Sequence, residues 1–387
     1  MDIYKSKSYY LSCFTFYAIR NFAVVLITLL LLLSTKNLAS AQPINEDFYA
    51  SANTFLRRLA SAKRLGLGDN FVSSISGANA LNSNPAGLSF INSNRLITNV
   101  LRFPHTVAVI AKLNDVERYE DRGQYVLRAS GLEFINYSKP LGTAGGFGFD
   151  FAIGHEGRFS RVNHLGKATN GFPETDFAIG VSYAVKLFPG FAIGADGRWL
   201  RSKVQDAENI RHIGHGYAYN LGLIQQFGEH LRIGGVIRNL SNGLSFTDNS
   251  IPDRIRREVL LGGSYQFHYK SVDIQISLDL NPPFEDGVRT NFGGTIWYRD
   301  FIGARIGYLR HIEKRFGSIV SLETEQVEFE DRLWKTEGPT LGLGLQVRGI
   351  HINAAYTPQV RPMENDGEQI RIETGKSVYS FSIEQRF

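Results

Sequence analysis

Residues 377–387, at the end of the chain, read SVYSFSIEQRF and alternate between two kinds of side chain. One side of an extended strand receives Tyr379, Phe381, Ile383, Gln385 and Phe387. The other side receives Ser380, Ser382, Glu384 and Arg386. Because successive side chains of a strand point to opposite faces, this segment predicts a strand with one largely apolar face and one polar face. An edge strand of a soluble sheet and a membrane-spanning strand both fit this pattern.

The same alternation recurs along most of the chain from about residue 125. Clear examples are residues 147–154, 177–186, 272–280 and 341–348, where aromatic and aliphatic side chains alternate with Gly, Ala, Ser and charged residues. The apolar face continues from strand to strand, and the small residues of the other face suit a crowded interior. Starting from a strand in 95–113 and ending at 376–387, the pattern predicts an all-β, fourteen-stranded antiparallel transmembrane β-barrel.

The predicted connections alternate in length. Short turns fall near residues 140–142, 188–190, 228–230, 270–271, 299–300 and 348–349. Long polar loops fall near 156–173, 203–213, 240–255, 312–337 and 358–375. Outer-membrane barrels have short periplasmic turns and longer extracellular loops. An even number of strands with this alternation predicts that both termini lie in the periplasm.

The start of the chain predicts export. Basic residues precede an apolar run at 22–33, and Ala39-Ser40-Ala41 forms a small-residue cleavage pattern, so residues 1–41 are predicted to be a secretory signal peptide. The run is too short for a membrane-spanning helix, which needs about 20 apolar residues. The single cysteine, Cys13, lies in this segment, so the mature chain would have no disulfide. The net charge of +5 forms no basic block, and no nucleic-acid partner is expected.

Two motifs carry family resemblances. The terminal Phe387 resembles the C-terminal assembly signal of bacterial outer-membrane barrels, which implies the bacterial outer membrane, its lipid and the barrel-assembly machinery as partners. Asn84, Pro85, Ala86, Gly87 and Leu88, after the glycines of residues 64–68, resemble the N-terminal region of the FadL superfamily, which includes long-chain fatty-acid channels and the PorV/PorQ-like proteins. In those families this segment lies between a hatch and the first strand. The resemblance implies a hatch at residues 42–94, inside the lumen, and a barrel at residues 95–387.

The polar face of the predicted strands carries charges that are expected to line the lumen. They are Arg198, Arg232, Arg238, Arg289, Arg305, Arg348, Asp196, Asp273 and Asp279. Buried charges are costly unless they are paired, so pairing with each other, with water or with the hatch is expected. These residues could include catalytic acids, but a salt-bridged lumen is the preferred interpretation. No catalytic residue, metal site or cofactor is predicted.

Three functions remain open. The PorV/PorQ-like resemblance implies a non-enzymatic barrel that assists the export or surface attachment of secreted proteins. The FadL-like resemblance implies passive uptake of hydrophobic small molecules instead. A membrane-bound hydrolase is the third hypothesis, although no serine, histidine and acid arrangement stands out.

Overall fold

The computed structural model describes a large part of the chain. The described residues are 55–56, 59–103, 106–109, 124–127, 130–156, 159–162, 168–169, 174–205, 211–246, 255, 257–282, 288–321, 326–358, 361–362, 372–373 and 377–387. The predicted signal peptide and residues 42–54 and 57–58 of the predicted hatch lie outside this set.

Within the described residues, fourteen strands form one closed sheet. They are β1 (Arg95–Phe103), β2 (Ser130–Pro140), β3 (Gly146–Glu156), β4 (Glu174–Phe188), β5 (Phe191–Gln205), β6 (Arg211–Phe227), β7 (Leu231–Phe246), β8 (Glu258–Tyr269), β9 (Val272–Leu280), β10 (Val288–Tyr298), β11 (Ile302–Ser321), β12 (Gln326–Val347), β13 (Ile350–Pro358) and β14 (Ser377–Arg386). Each strand pairs antiparallel with the next, and β14 pairs with β1 so that Arg95 lies opposite Arg386. The ring therefore has no open edge, as a membrane barrel requires, and the predicted fourteen-stranded antiparallel barrel is confirmed.

The two faces of the wall follow the alternation in the sequence. Leu343 on β12 and Ile276 on β9 are 65% and 44% exposed, and they belong to a set of exposed aromatic and aliphatic side chains that surrounds the barrel. The neighbouring Gln275 points inward and donates to the carbonyl oxygen of Ser74 at 3.2 Å. A continuous exposed apolar surface is the outer face of a barrel that meets lipid. Among the described residues, no helix combines the length and the hydropathy needed to cross a membrane.

The barrel has a short-turn end and a long-loop end. The short-turn end carries tight turns such as Arg299-Asp300 (φ 48° and 51°) and Arg348-Gly349 (φ 48° and 82°). Positive φ at both central residues gives a turn whose twist matches the flanking strands. Arg348 is exposed in such a turn. Its predicted place on the inner wall is therefore wrong, because the turn takes Arg348 out of the ladder.

The long-loop end contains more strand than the sequence pattern predicts. β11 and β12 pair continuously from Ile302 opposite Leu345 to Ser321 opposite Gln326, so most of the predicted loop 312–337 is a hairpin. β7 likewise continues to Phe246, into the predicted loop 240–255. Backbone pairing between strands needs no alternation of apolar and polar side chains, which explains why the pattern missed these extensions. Short strands of the long loops form a second sheet, in the order Ile372–Glu373, Thr106–Val109, Gln124–Leu127, Phe159–Val162 and Ala168–Thr169.

The residues before β1, here called the N-terminal segment (residues 59–94), are almost entirely buried against the inner face of the wall. They form the helix α1 (Ala62–Gly66) and two 3-10 helices, Gly77–Ala80 and Pro85–Phe90. The hydroxyl of Ser61 caps α1 by accepting from the Arg64 backbone amide. Short helices of this kind are not stable alone, so their position depends on packing against the barrel.

Candidate functional site

The Asn-Pro-Ala-Gly motif joins the N-terminal segment to the wall. The side-chain oxygen of Asn84 accepts from the backbone amide of Ala86 at 3.1 Å, which caps the 3-10 helix that Pro85 begins. The side-chain nitrogen of Asn84 donates to the carbonyl oxygen of Val72 at 2.7 Å, and at 3.2 Å to that of Leu223 on β6. One buried amide thus links two parts of the segment and the barrel.

Gly87 and Leu88 complete the motif through packing. Gly87 does not have a positive φ, so residues other than glycine could adopt its backbone conformation. A Cβ atom at Gly87, however, would lie 2.9 Å from both the Cβ of Ala80 and the carbonyl oxygen of Ile75. The sequence suggests an unusual backbone here, whereas the structure requires glycine for space. Leu88 is fully buried in a cluster with Leu81 and Ile97.

Wall glycines let the backbone of the N-terminal segment approach the strands. A Cβ atom at Gly293 on β10 would overlap the carbonyl oxygen of Leu67, and a Cβ at Gly66 would lie 2.8 Å from the Cα of Gly342 on β12. Other wall glycines in similar backbone contact are Gly146, Gly194, Gly234 and Gly307. The segment therefore touches the wall on several sides of the ring, with no side chain between the two backbones.

One charged cluster fixes the middle of the segment to β3 and β5. The guanidinium of Arg198 donates from Nε to Asp150 at 3.1 Å and from Nη2 to the carbonyl oxygen of Leu81. Asp196 lies 3.8 Å from the same guanidinium and accepts from the side chain of Asn220 at 2.9 Å. Arg198 is 2% exposed, so this pairing takes place away from bulk water.

A second charged cluster combines acidic and basic side chains of the segment and of the wall. It surrounds Phe71 and is called here the Phe71 cluster; its charged members are Arg64, Asp69, Arg238, Glu258 and Arg289. Arg64 donates from Nε to Asp69 at 2.5 Å, and Asp69 also binds Arg289 of β10. Glu258 lies 3.6 Å from Arg289 and 3.1 Å from Arg238 of β7. The three guanidinium carbons lie 3.8 Å (Arg64), 5.2 Å (Arg238) and 5.3 Å (Arg289) from the centre of the Phe71 ring. Cation–π contact and ion pairing therefore act together at this point.

Asp279 of β9 holds the turn that follows Asp69. Its carboxylate accepts from the backbone amides of Phe71 at 2.6 Å and Val72 at 3.0 Å. The side chain is fully buried, and these two hydrogen bonds to a charged acceptor are of the strong kind.

An apolar cluster fills the lumen towards the long-loop end, and it is called here the apolar chamber. Its wall side chains come from several strands and include Leu101, Leu132, Phe134, Leu200, Leu244 and Phe246. The residues packed into it from the N-terminal side include Phe55, Leu56, Leu59 and Leu65. The interior of a membrane barrel is usually polar, so an apolar zone on the inner wall is unusual.

A polar cavity of about 240 Å³ lies at the short-turn end, between the N-terminal segment and strands β7 to β14, and is called here the basal cavity. Its basic lining residues are Lys63, Arg232, Arg305 and Arg386, and its acidic ones are Asp273, Asp300 and Glu384. His351, Asn353, Ser74 and Ser76 contribute neutral polar groups. Burial lowers the pKa of the Lys63 ammonium to about 8, although the carboxylate of Glu384 opposes this shift.

The predicted lumen charges therefore fall into separate groups. Arg198 and Asp196 lie in one cluster, Arg238 and Arg289 in the Phe71 cluster with Asp279 beside it, and Arg232, Arg305 and Asp273 at the basal cavity. Phe387 is 58% exposed, and its backbone amide donates to the carbonyl oxygen of Asn94 at 3.2 Å.

Several partners of these charges were not predicted from the sequence. Asp69, Phe71 and Lys63 lie in the N-terminal segment, whose pattern gave no direction for side chains. Glu384 of β14 pairs with Arg95 at 3.1 Å and accepts from Asn79 at 3.3 Å. Its position on the polar face of the terminal strand could have marked it as inward. Among the described residues, no group of three or more His, Cys, Asp or Glu side chains could hold a metal ion.

Comparison with known proteins identifies relatives of the fold. No protein-family model matches the chain, and no curated protein matches its sequence. Among solved structures, a FadL homologue of Pseudomonas aeruginosa aligns over 85% of this chain and 98% of its own, with a TM-score of 0.57 and 13% identity. The Pseudomonas putida toluene transporter TodX aligns over the same shares, with a TM-score of 0.57 and 11% identity. The Ralstonia pickettii toluene transporter TbuX aligns over 84% of this chain and 98% of its own, with a TM-score of 0.51 and 12% identity. The chain thus has the barrel fold of these proteins.

Proposed function

We propose that this protein is a non-enzymatic channel of the bacterial outer membrane for hydrophobic small molecules. The observation that carries the proposal is the apolar chamber on the inner wall at the long-loop end. A polar lumen suits ions and sugars, whereas an apolar lumen lowers the free energy of a hydrophobic solute that leaves water. Two of the fold relatives are toluene transporters, which agrees with this class of cargo.

Residues 42–94 would act as the hatch of this channel. The described part, residues 59–94, contacts the wall through glycine backbones and two charged clusters, so it occupies space that a solute would need. Passage then requires a local rearrangement of the hatch rather than a permanently open pore. In this proposed arrangement the short-turn end and both termini face the periplasm, and the long loops face the outside of the cell.

The fold relatives favour this transport role over the export role. The PorV/PorQ-like resemblance implies export, but structural relatives of the chain include toluene transporters and a monoaromatic hydrocarbon channel. Neither function requires a cofactor, and the partners of the proposed channel are lipid, the barrel-assembly machinery and the solute.

The proposal is tested by uptake of radiolabelled toluene into intact Gram-negative cells that express the protein. We expect faster uptake than in cells with an empty vector, since lipopolysaccharide slows hydrophobic solutes at the outer membrane. Leu200→Asn and Leu132→Asn place polar groups in the apolar chamber and should slow uptake several-fold. Gln346→Asn, at the basal cavity, is the matched control and should leave the rate unchanged.

Folding of each variant is checked by the heat-dependent shift of barrel mobility on gels. Uptake equal to the empty vector, with a folded barrel at the surface, would refute the proposed cargo class. Equal uptake by the wild type and both chamber variants would refute the role of the apolar chamber.

A further inference from the structure

The basal cavity holds more unpaired positive charge than its neighbours neutralise. Arg305 of β11 is 4% exposed, and its guanidinium donates to the side-chain oxygen of Asn353 at 2.9 Å and, weakly, to the carbonyl oxygen of Leu343 at 3.4 Å. No carboxylate of the described residues lies within ion-pair distance of Arg305, and its Nε has no hydrogen-bond partner among them. A buried guanidinium normally has such a partner.

Two further cations at the cavity lack a carboxylate among the described residues. The side chain of Lys63 has no hydrogen bond or ion pair within that part of the chain, and the side chain of Arg232 donates only to the amide oxygen of Gln226 at 3.1 Å. Arg232 also lies over the Phe90 ring, 5.0 Å from its centre. Neither contact neutralises a full charge.

The acidic residues of the cavity are engaged elsewhere or lie at its mouth. Glu384 pairs with Arg95 and accepts from Asn79. Asp273 binds the imidazole of His268, and Asp300 is exposed in the short turn after β10. The carboxylates therefore leave the positive charge of Lys63 and Arg305 available inside the cavity.

Neutral polar groups complete the lining. The hydroxyl group of Ser74 and the Nε2 of His351 are buried without a hydrogen-bond partner among the described residues. Arg305, His351 and Asn353 are nearly fully buried, whereas Gln266, Asp300 and Arg386 are exposed. The cavity therefore has a deep, polar interior with a buried guanidinium and opens at the short-turn end.

We propose that the basal cavity binds a small oxyanion, a carboxylate or phosphate group, between Lys63 of the N-terminal segment and Arg305 of the wall. A volume of about 240 Å³ admits such a group together with water, since a water molecule takes up roughly 30 Å³. Guanidinium and ammonium groups bind oxyanions through charge-assisted hydrogen bonds. The bound anion would join the hatch to the wall at a point where both present cations that repel each other.

This site differs from the apolar chamber in chemistry and lies at the opposite end of the lumen. The proposal therefore does not depend on transport of hydrophobic solutes, and anion binding can be measured without any uptake assay. The anion could be a free solute or the head group of an anionic lipid, because both offer the same oxygen atoms.

The test is isothermal titration of the full-length purified protein in neutral maltoside micelles with inorganic phosphate and, separately, with succinate. We expect saturable binding of at least one anion. Arg305→Gln and Lys63→Gln should each weaken it at least tenfold. Arg310→Gln, on the same strand but 49% exposed and outside the cavity, is the matched control and should bind as the wild type does.

The source of the anion is distinguished in lipid nanodiscs. Phosphate binding is compared in nanodiscs of phosphatidylcholine and of phosphatidylglycerol. If phosphatidylglycerol weakens it in the wild type and not in Arg305→Gln, the anion is a lipid head group. Equal binding in both lipids identifies a free anion. Failure of both anions to bind the folded wild-type protein would overturn the proposal. Equal affinities in the wild type, Arg305→Gln and Lys63→Gln would overturn it as well.

Discussion

The two ends of the lumen have opposite chemistry although one ring of strands surrounds both. At the long-loop end, the inner wall presents Leu132, Phe134 and Leu200 to the apolar residues of the N-terminal segment. At the short-turn end, it presents Arg305, His351 and Glu384 to the basal cavity. The alternation of a strand decides only which residues point inward. The alternation does not decide whether an inward side chain is apolar or charged. Here the inward side chains change from apolar at the long-loop end to charged at the short-turn end.

This difference suggests a division of labour within the N-terminal segment. Its apolar residues pack into the chamber by burial, a force without direction. Its polar groups meet the wall through specific pairs: the Leu81 carbonyl oxygen with Arg198, Asp69 with Arg289, and Asn84 with β6. The directional contacts set the position of the segment, and the apolar contacts occupy the space that a hydrophobic solute would use.

Deleting residues 43–80 should have the largest effect, because it empties both ends of the lumen. Single-channel conductance in planar bilayers should rise several-fold, and the barrel should remain folded because its strand ladder is closed without the segment. Conductance equal to the wild type would mean that residues 43–80 do not close the lumen. A wild-type protein that is already a wide open pore would exclude the proposed hatch.

Breaking the Phe71 cluster should have the next largest effect. Asp69→Asn leaves Arg64 and Arg289 without their shared carboxylate. Removal of one partner from a buried ion pair costs roughly 3–5 kcal/mol. The cost is lower here because Asp69 is 20% exposed. Hydrogen exchange of residues 59–94 should quicken while that of the barrel strands does not. Asp273→Asn, whose partner His268 is exposed, is the control and should leave exchange in the segment unchanged.

The close approach of backbones can be tested at two adjacent glycines of β10. Gly293→Ala places a methyl group against the carbonyl oxygen of Leu67, and overpacking of this kind costs about 1–3 kcal/mol. In Gly294→Ala the nearest atom to the new methyl group is 3.7 Å away. Only Gly293→Ala should increase protease cleavage within residues 59–94. Equal cleavage in both variants would show that the glycine contact does not position the segment.

The smallest expected effect is the pH dependence of succinate binding at the basal cavity. Lys63 has a pKa of about 8, so its ammonium loses charge as the pH rises from 7 to 9. It faces Glu384 and Arg386 of β14, Arg95 of β1 and Arg305 of β11, and the arginines stay charged in this range. Affinity should fall by at most about tenfold, the loss expected one pH unit above a pKa. Lys63→Gln should bind succinate weakly, and its affinity should not fall with pH. If the affinity of the wild type does not change between pH 7 and 9, the role of Lys63 is contradicted.

Much of the fold was predictable because the alternation of a strand is a local property. Ile276 and Gln275 are neighbours, and their outward and inward positions follow from parity alone. A sheet that spans a membrane must close into a ring, because lipid offers no hydrogen-bond partner to an open strand edge. Arg348 broke the parity rule because a two-residue turn with positive φ removed it from the ladder.

The sequence by itself determined the barrel, the direction of most side chains and the presence of charges on the inner face. Only the tertiary structure decided which of these charges meet. Asp69 lies 220 residues from Arg289, and Asn79 lies 305 residues from Glu384. Such pairs depend on the stagger of the strands and on the path of the N-terminal segment through the ring. Both are set by the packing of the whole molecule, so no local pattern encodes them.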